Sequence, residues 1–147
     1  MKTIAVLNGP NLDRLGKREP EIYGHETLQD LTTRLESEAA ELGLQIEHFQ
    51  SNHEGELIDK LSAWANEGEV AGLIFNAAGL THTSISLRDA IAASKLPSIE
   101  VHISNIYQRE EFRHKSFTAP IALGIISGLG LNGYSFALQH LAQLLKK

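Results

Sequence analysis

Five short segments that can form strands, four of them followed by a segment of helical periodicity, limit this chain to very few folds. These segments predict strands at residues 3–7, 44–49, 70–75, 98–103 and 121–126. Strands that alternate with helices are typical of a parallel sheet with helices on both faces. The second segment alternates polar and apolar residues, which indicates a half-exposed strand at a sheet edge. The sequence therefore predicts an α/β fold, a flavodoxin-like three-layer sandwich with a five-stranded parallel sheet in the order 2-1-3-4-5.

Local signals mark where several of the predicted helices begin and end. Thr27, with Asp30 three residues later, is a partial match to a capping box, and apolar residues recur from position 28 to 42 before Gly43. Residues 51–54 (Ser-Asn-His-Glu) match the capping box of a second helix, which stops near residue 68. Residues 81–84 lead into a third helix, which Pro97 stops. A last helix is predicted at residues 134–145.

Residues 8–24 form an unusually long connection between the first predicted strand and the first predicted helix, since α/β units ordinarily use about 2–6 residues there. The segment carries Asn8, Asn11, Arg14, Arg18 and Tyr23, interspersed with proline and glycine. Polar and cationic side chains on such a frame are typical of a loop that binds a ligand and can move. A solvated insertion without function is the alternative, and this segment alone leaves both interpretations open.

Composition excludes several classes of protein and of site. The chain has 147 residues, which predicts one domain over residues 1–147, and a net charge of −5, which argues against a nucleic-acid partner. It has no cysteine, so disulfides, thiolate nucleophiles and cysteine-based metal sites are excluded. No apolar run approaches the roughly 20 residues of a membrane span, and the N-terminal apolar run is too short for a signal peptide. We therefore expect a cytoplasmic protein with no membrane partner.

Two motif matches lack the context that their chemistry needs. Residues 128–133 (Gly-Leu-Gly-Leu-Asn-Gly) match G-x-G-x-x-G, but a dinucleotide site also needs a further strand and an acidic residue about 20 positions later. Neither follows here, so we interpret the motif as a tight turn between a strand and a helix. The dipeptide His53-Glu54 lacks the second histidine of a zinc motif, and no other histidine spacing predicts a metal site.

The carboxyl ends of parallel strands share one edge of the sheet, where such folds bind their ligands. The strand ends and charged loops would gather amides, acid–base groups and cations there: Asn8, Asn11, Arg18, Tyr23, Asn76, His82, Glu100, His102, Ser104, Asn105, Arg109 and Arg113. This set suits proton transfer on a small anionic, hydroxylated substrate, with an arginine on its carboxylate. Glu100 and His102 share a strand face, so the carboxylate could orient the imidazole. Two other interpretations remain open: His102 could be a structural histidine, and Arg109 and Arg113 could lie on a solvated surface. The alternative function is a non-catalytic flavodoxin-like module that binds a nucleotide or a flavin.

Several ordered motifs make the sequence similar to one enzyme family over nearly the whole chain. They are L-N-G-P-N-L at 7–12, R-E-P-E-I-Y-G at 18–24, S-N-H-E-G-E-L-I-D at 51–59, T-H-T-S at 81–84, L-R-D-A at 87–90, E-V-H-I-S-N at 100–105, R-E-E-F-R at 109–113 and G-L-N-G-Y at 130–134. In these motifs the chain resembles the type II 3-dehydroquinate dehydratases of the shikimate pathway. The resemblance implies a lyase that removes water from 3-dehydroquinate by anti elimination through an enolate, giving 3-dehydroshikimate, with no cofactor and no metal.

The resemblance also implies roles for individual residues. Tyr23 would be the base that removes the proton from carbon 2, Arg18 the cation that keeps it reactive, and Asn11 the residue that orients a water on the enolate oxygen. His102, held by Glu100, would protonate the leaving hydroxyl. The implied substrate-binding positions are Asn76, His82, Ile103, Ser104 and Arg113, with Asp89 reaching in from a neighbouring subunit. The family usually assembles as a homododecamer, a tetramer of trimers.

Residues 77–80 depart from the family pattern. The family often has Pro-Gly-Ala-Tyr after the asparagine, and here the residues are Ala-Ala-Gly-Leu. Asn76 and His82 keep their spacing, so we expect altered loop rigidity and retained function. The long loop would be a lid that carries Tyr23 and Arg18. Residues 18–23 are therefore predicted to be the least ordered part of the protein without ligand.

Overall fold

One five-stranded sheet forms the centre of the computed structural model, which describes residues 1–146. The strands are β1 (Thr3–Asn8), β2 (Gln45–Gln50), β3 (Val70–Asn76), β4 (Ser98–His102) and β5 (Gly124–Ser127). All neighbouring strands are parallel, and they lie in the order β2-β1-β3-β4-β5, which confirms the predicted topology. The carboxyl ends of the strands therefore lie at the same edge of the sheet.

Helices cover both faces of this sheet. Their bounds are α1 (Pro20–Tyr23), α2 (Leu28–Glu41), α3 (Glu54–Asn66), α4 (Ile85–Ser94) and α5 (Asn132–Leu145). Leu35 of α2 and Leu138 of α5 belong to the apolar core on one face. Leu61 of α3 and Leu87 of α4 belong to the core on the other face, which completes the predicted three layers. Within residues 1–146, no helix is both long and apolar enough to span a membrane.

The central strand β1 is apolar from Ile4 to Leu7 because helices cover both of its faces. Ile4 and Val6 belong to the core under α2 and α5, whereas Ala5 and Leu7 belong to the core under α3 and α4. These four side chains are 0–1% exposed. A strand that is covered on both faces needs apolar residues at every position, so the alternation seen in edge strands is absent. The edge strand β2 is only half-buried, as its mixed sequence predicted.

The predicted start of the fifth strand was wrong. The sequence predicted residues 121–126, whereas Ala119–Ile121 is a 3-10 turn and the pairing of β5 with β4 begins at Gly124, opposite Ile99. Pro120 lies within that turn and has no N–H to donate to a neighbouring strand. Ile121 packs against the core under α3 and α4, which explains why the segment is apolar without being a strand.

One of the two capping predictions was also wrong. Thr27 and Asp30 form the complete capping box of α2, with side-chain to backbone distances of 3.1 and 3.0 Å. At α3 no such box forms, because the hydroxyl of Ser51 accepts from the backbone N–H of His53 at 2.9 Å and donates to Glu56 instead. The S-x-x-E pattern therefore begins two residues before the N-cap, His53, which is too early to cap the helix.

The ends of β1 and β3 approach each other closely at the edge where ligands are expected. Asn8 is paired in register with Asn76, and the N–H of Gly9 donates to the Asn76 carbonyl at 2.8 Å. A Cβ atom at Gly9 would lie 2.6 Å from the carbonyl oxygen of Ala77. Only glycine permits this approach. The connection that follows is less irregular than expected, since it contains a 3-10 turn at Leu12–Arg14 and the single turn of α1.

Ala78, in the segment that departs from the family pattern, has a left-handed backbone with φ of 53°. An L-residue is strained in that region by about 1–2 kcal/mol, and glycine is not. We expect Ala78→Gly to raise the free energy of unfolding by about 1 kcal/mol, measured by urea denaturation at fixed protein concentration. Ala77→Gly is the matched control: Ala77 has φ of −77°, so added flexibility there should lower the free energy of unfolding. Equal effects of the two substitutions would contradict the strain at Ala78.

Candidate active site

A cavity of about 160 Å³ opens at the carboxyl ends of β1, β3 and β4. Drug-sized ligands occupy pockets of roughly 300–1,000 Å³, so this cavity suits a smaller molecule. Its lining includes most of the predicted site residues: Asn11, Arg18, Tyr23, Asn76, His82, His102, Ile103, Ser104 and Arg113. Two predicted residues lie elsewhere. Glu100 is fully buried and hydrogen-bonded to His102, and Asp89 is exposed on α4, paired with Arg88.

Two guanidinium groups lie against Tyr23 at the end of α1. Nη1 of Arg109 donates to the Tyr23 hydroxyl at 2.8 Å, and its Cζ lies 5.3 Å from the centre of the ring. Cζ of Arg18 lies 5.4 Å from the same ring centre. The side chain of Arg109 is 14% exposed and that of Arg18 is 41% exposed, so solvent screens the charge of Arg109 less. Positive charge beside a phenol favours the phenolate, which is the form that can act as a base.

The other two tyrosines of the chain are unsuited to act as a base here. Tyr134 is fully buried, and burial raises the pKa of its hydroxyl far above the ordinary value of 10. Tyr107 is 62% exposed and packs against His114, outside the cavity. Among the tyrosines, Tyr23 alone combines access to the cavity with neighbouring positive charge.

His102 and Glu100 form a buried pair on β4. Nε2 of His102 lies 2.7 Å from Oε2 of Glu100, and the side chains are 5% and 0% exposed. The hydroxyl of Ser116 lies 3.1 Å from both carboxylate oxygens, and the hydroxyl of Thr118 donates to Oε1. Burial raises the pKa of Glu100, but the hydrogen bonds from His102, Thr118 and Ser116 outweigh burial and hold this pKa below its ordinary value. Glu100 is therefore ionised at neutral pH.

This pairing decides which nitrogen of His102 can react. Since Nε2–H donates to the carboxylate, Nδ1 is the ring nitrogen left for a ligand in the cavity. An adjacent carboxylate stabilises the imidazolium, which can donate a proton from Nδ1. The pair is thus suited to deliver a proton to a leaving group.

His82 and Arg113 supply a neutral acceptor and a positive charge to the cavity. Nδ1 of His82 donates to the carbonyl of Lys115 at 2.8 Å, which leaves Nε2 for a ligand. Burial lowers the pKa of His82 below 6.5, outweighing the hydrogen bond to Lys115, which raises it. Nε of Arg113 donates to Glu110 at 2.9 Å, and the terminal nitrogens of the same guanidinium can bind a carboxylate.

The end of β2 holds Asn11 in place. Asn11 has a left-handed backbone with φ of 72°, a conformation that asparagine tolerates better than most residues. Its N–H donates to Oδ1 of Asn52 at 2.8 Å, and Nε2 of Gln50 donates to the carbonyl of Gly9 at 3.1 Å. The base of the long loop is therefore fixed to the sheet.

The G-x-G-x-x-G segment is a tight turn, as predicted. Gly128 has φ of 93°, and its N–H donates to the carbonyl of His102 at 3.1 Å. The N–H of Gly130 donates to the carbonyl of Ile103 at 3.0 Å. These N–H groups hold the end of β4, so they are not free to bind phosphate. Residues 1–146 also contain no group of three or more His, Cys, Asp or Glu side chains arranged to hold a metal ion.

Four residues that organise this site have no specific role that the sequence alone predicts. Arg109 was only one of several cations near the cavity, although it lies in the R-E-E-F-R motif that also contains Arg113. Ser116 and Thr118 bind Glu100, and Asn52 binds Asn11. A buried carboxylate must have hydrogen-bond donors, but the sequence does not show which residues supply them.

Comparison with known proteins identifies the family. A family model described as dehydroquinase class II matches residues 2–142. The chain belongs to the class II dehydroquinases. A 3-dehydroquinate dehydratase of Endomicrobium trichonymphae is 54% identical over 145 residues, covering 99% of this chain and 100% of the relative. Another, from Corynebacterium glutamicum strain R, is 54% identical over 143 residues, covering 97% of each chain.

Solved structures of class II dehydroquinases share the fold. The type II dehydroquinase of Propionibacterium acnes has a TM-score of 0.93 and 45% identity, covering 97% of each chain. That of Butyrivibrio crossotus DSM 2876 has a TM-score of 0.92 and 44% identity, covering 95% of this chain and 97% of the other. The family and fold inferred from the sequence motifs are thereby confirmed. The alternative of a nucleotide- or flavin-binding module is not favoured.

Proposed function

We propose that this class II dehydroquinase removes water from 3-dehydroquinate to give 3-dehydroshikimate, the activity for which its relatives are named. The observation that supports the proposal is the position of Tyr23 beside two guanidinium groups, at a small cavity that is also lined by His102, the partner of Glu100. One group is suited to remove a proton and the other to deliver one. Elimination of water from a hydroxyl group next to an acidic C–H bond needs both a base for the carbon-bound proton and an acid for the leaving hydroxyl.

In the first step, the Tyr23 phenolate takes the proton from carbon 2 of the substrate. The electrons of that C–H bond move to the carbonyl at carbon 3, which becomes an enolate. Arg109 and Arg18 stabilise the phenolate before the step, because both guanidinium groups lie against the ring. Asn11, held by Asn52, orients a water toward the enolate oxygen.

In the second step, the enolate electrons form the double bond between carbons 1 and 2 and expel the hydroxyl of carbon 1. His102 gives the proton on Nδ1 to that hydroxyl, which leaves as water, and Glu100 stabilises the imidazolium beforehand. One proton has been taken by Tyr23 and one given by His102. Transfer through solvent from Tyr23 to His102 then restores the resting enzyme.

The remaining predicted residues bind the substrate. Arg113 binds the carboxylate, while Asn76, His82 and the backbone of Ile103 and Ser104 bind the oxygen substituents of the ring. Residues 18–23 act as a lid whose closure excludes water and brings Tyr23 to the substrate.

Both arginines beside Tyr23 should act on the rate. We expect Arg18→Ala and Arg109→Ala each to lower kcat by about 10²-fold or more, with a smaller change in KM, because each removes positive charge beside the base. Steady-state kinetics with 3-dehydroquinate measures both constants. An effect confined to KM would mean that the arginine binds the substrate and does not activate Tyr23.

Conversion of 3-dehydroquinate by the purified protein tests the proposed activity directly. The product is a conjugated enone, so ultraviolet absorbance should rise on addition of substrate and no coloured cofactor should be needed. A matched reaction with heat-denatured protein corrects for uncatalysed dehydration. A folded protein that produces no enone, or one that purifies with a bound flavin, would contradict the proposal.

We also propose that residues 1–147 form a single dehydroquinase domain, that it acts in the cytoplasm, and that it assembles as a homododecamer, a tetramer of trimers. Asp89 supports the assembly, since it is 63% exposed and lies outside the cavity of its own chain. Leu123, next to the edge strand β5, and Ile125, within it, are 60% and 48% exposed, and a neighbouring subunit would bury them. A mass in solution equal to one chain would contradict the assembly.

A further inference from the structure

A series of hydrogen bonds, most of it buried, joins the cavity to the edge strand β2. Nδ2 of Asn76 donates to the hydroxyl of Tyr134 at 3.1 Å, and that hydroxyl donates to Oδ1 of Asn8 at 2.6 Å. Nδ2 of Asn8 lies 2.9 Å from Nε2 of His48, on β2. Asn8, Asn76 and Tyr134 are 0%, 4% and 0% exposed. Of these four residues, only Asn76 contacts the substrate in the proposed mechanism, and Tyr134, Asn8 and His48 have no role in it.

One backbone group fixes the direction of every bond in this series. The N–H of Ala78 can only donate, and its partner at 3.0 Å on Asn76 is therefore the oxygen, Oδ1. The Asn76 amide group must then donate to Tyr134, whose single proton is left for Oδ1 of Asn8. The Asn8 amide group in turn donates to Nε2 of His48, which must be unprotonated.

The consequence appears at the cavity. Asn76 lines it, its oxygen accepts from the N–H of Ala78, and one of its two amide protons is donated to Tyr134. The remaining amide proton is the group that Asn76 can offer a ligand. We propose that Tyr134 is a positioning residue that fixes the amide of Asn76, so that its second N–H is presented to an oxygen atom of the substrate. The proposal deepens the proposed function and rests on it.

The surroundings of Tyr134 suit this role. Its ring is fully buried in the core under α2 and α5, so the hydroxyl has little freedom to move. Burial raises the pKa of Tyr134, so its hydroxyl stays protonated and can donate its hydrogen bond to Asn8. Burial also lowers the pKa of His48, which keeps Nε2 free to accept at the other end of the series.

The substitution Tyr134→Phe removes the hydroxyl and keeps the ring. The amide of Asn76 then keeps only the N–H of Ala78 as a partner, so it is held less firmly and substrate binding must complete its orientation. We expect KM for 3-dehydroquinate to rise about tenfold, which is the loss of one oriented hydrogen bond, while kcat changes less than about threefold. The measurement is steady-state kinetics at a temperature where circular dichroism shows the variant folded.

A double-mutant cycle distinguishes positioning from a general loss of stability. Asn76→Ala should raise KM strongly in the natural background and less in the Tyr134→Phe background, because the amide is already less well oriented there. Leu141→Val, in the same core on α5, is the matched control that weakens packing and should leave KM unchanged. Additive effects of Asn76→Ala and Tyr134→Phe on KM would overturn the proposal.

A second variant keeps the proposal testable if Tyr134→Phe does not fold. Asn8→Leu removes the acceptor of the Tyr134 proton and leaves Tyr134 in place, so KM should rise in the same direction. Suppose that the natural protein converts the substrate and that Tyr134→Phe or Asn8→Leu folds with an unchanged KM. That result would overturn the role proposed for Tyr134 and leave the proposed function standing. Absence of turnover by the natural protein would instead overturn the proposed function.

Discussion

Replacement of Tyr23 by phenylalanine is expected to lower kcat for 3-dehydroquinate by about 10³–10⁴-fold and to leave substrate binding measurable. The reason is that the variant keeps the ring against both arginines but has no oxygen to take the proton from carbon 2. The groups that bind the substrate are on other elements, so the dissociation constant should change little. Steady-state turnover and equilibrium titration with the substrate measure the two quantities separately.

Tyr107→Phe is the matched control for this substitution. Tyr107 is exposed and packs against His114, so loss of its hydroxyl should change neither kcat nor KM. If the Tyr23 variant retains turnover near that of the natural protein, another group removes the proton and the proposed mechanism is wrong. If both tyrosine variants lose activity equally, the loss cannot be assigned to a base.

The sheet was predictable because its sequence obeys few and strong constraints. Residues 3–7 and 70–75 are apolar at nearly every position, which double coverage by helices requires, and residues 44–49 alternate as an edge strand does. The fifth strand was less predictable, because Ile121 is apolar for packing against a core and not for pairing in the sheet. Apolar character alone does not distinguish these two uses.

The site was predictable to the level of which side chains meet, but not of which bonds they make. Parallel topology places the ends of β1, β3 and β4 together, and this is enough to gather Asn11, Asn76 and His102. The hydrogen bond from Arg109 to Tyr23 depends on the path of two loops, which no periodicity encodes. The pairing of Tyr134 with Asn8 and Asn76 joins positions more than fifty residues apart, and a tyrosine in a helical pattern gives no sign of it.

A second large effect is expected from Glu100→Gln, since three donors converge on this carboxylate. His102, Ser116 and Thr118 all direct hydrogen atoms at its two oxygens. Glutamine has one oxygen and one NH₂ group, so it can accept fewer of these bonds, and its own N–H groups need acceptors that only the two hydroxyls could supply. Without the negative charge, the imidazolium of His102 loses its stabilisation and its orientation, and kcat should fall by about 10²–10⁴-fold. Steady-state kinetics measures the fall, and Glu111→Gln, on an exposed 3-10 turn, should leave kcat unchanged.

The same substitution should reveal itself in the pH dependence of stability. The pKa of Glu100 in the folded protein lies below its ordinary value of 4.5, so ionised Glu100 stabilises the fold above pH 4.5 and this contribution is lost as pH falls through the lower folded value. The variant should be less stable than the natural protein by roughly 1–3 kcal/mol near neutral pH, the cost of an unsatisfied buried donor. Urea denaturation should show this difference constant above pH 4.5 and narrowing below it. A difference that widens in acid would mean that Glu100 is protonated in the folded enzyme, and it could not then hold the imidazolium that delivers the proton.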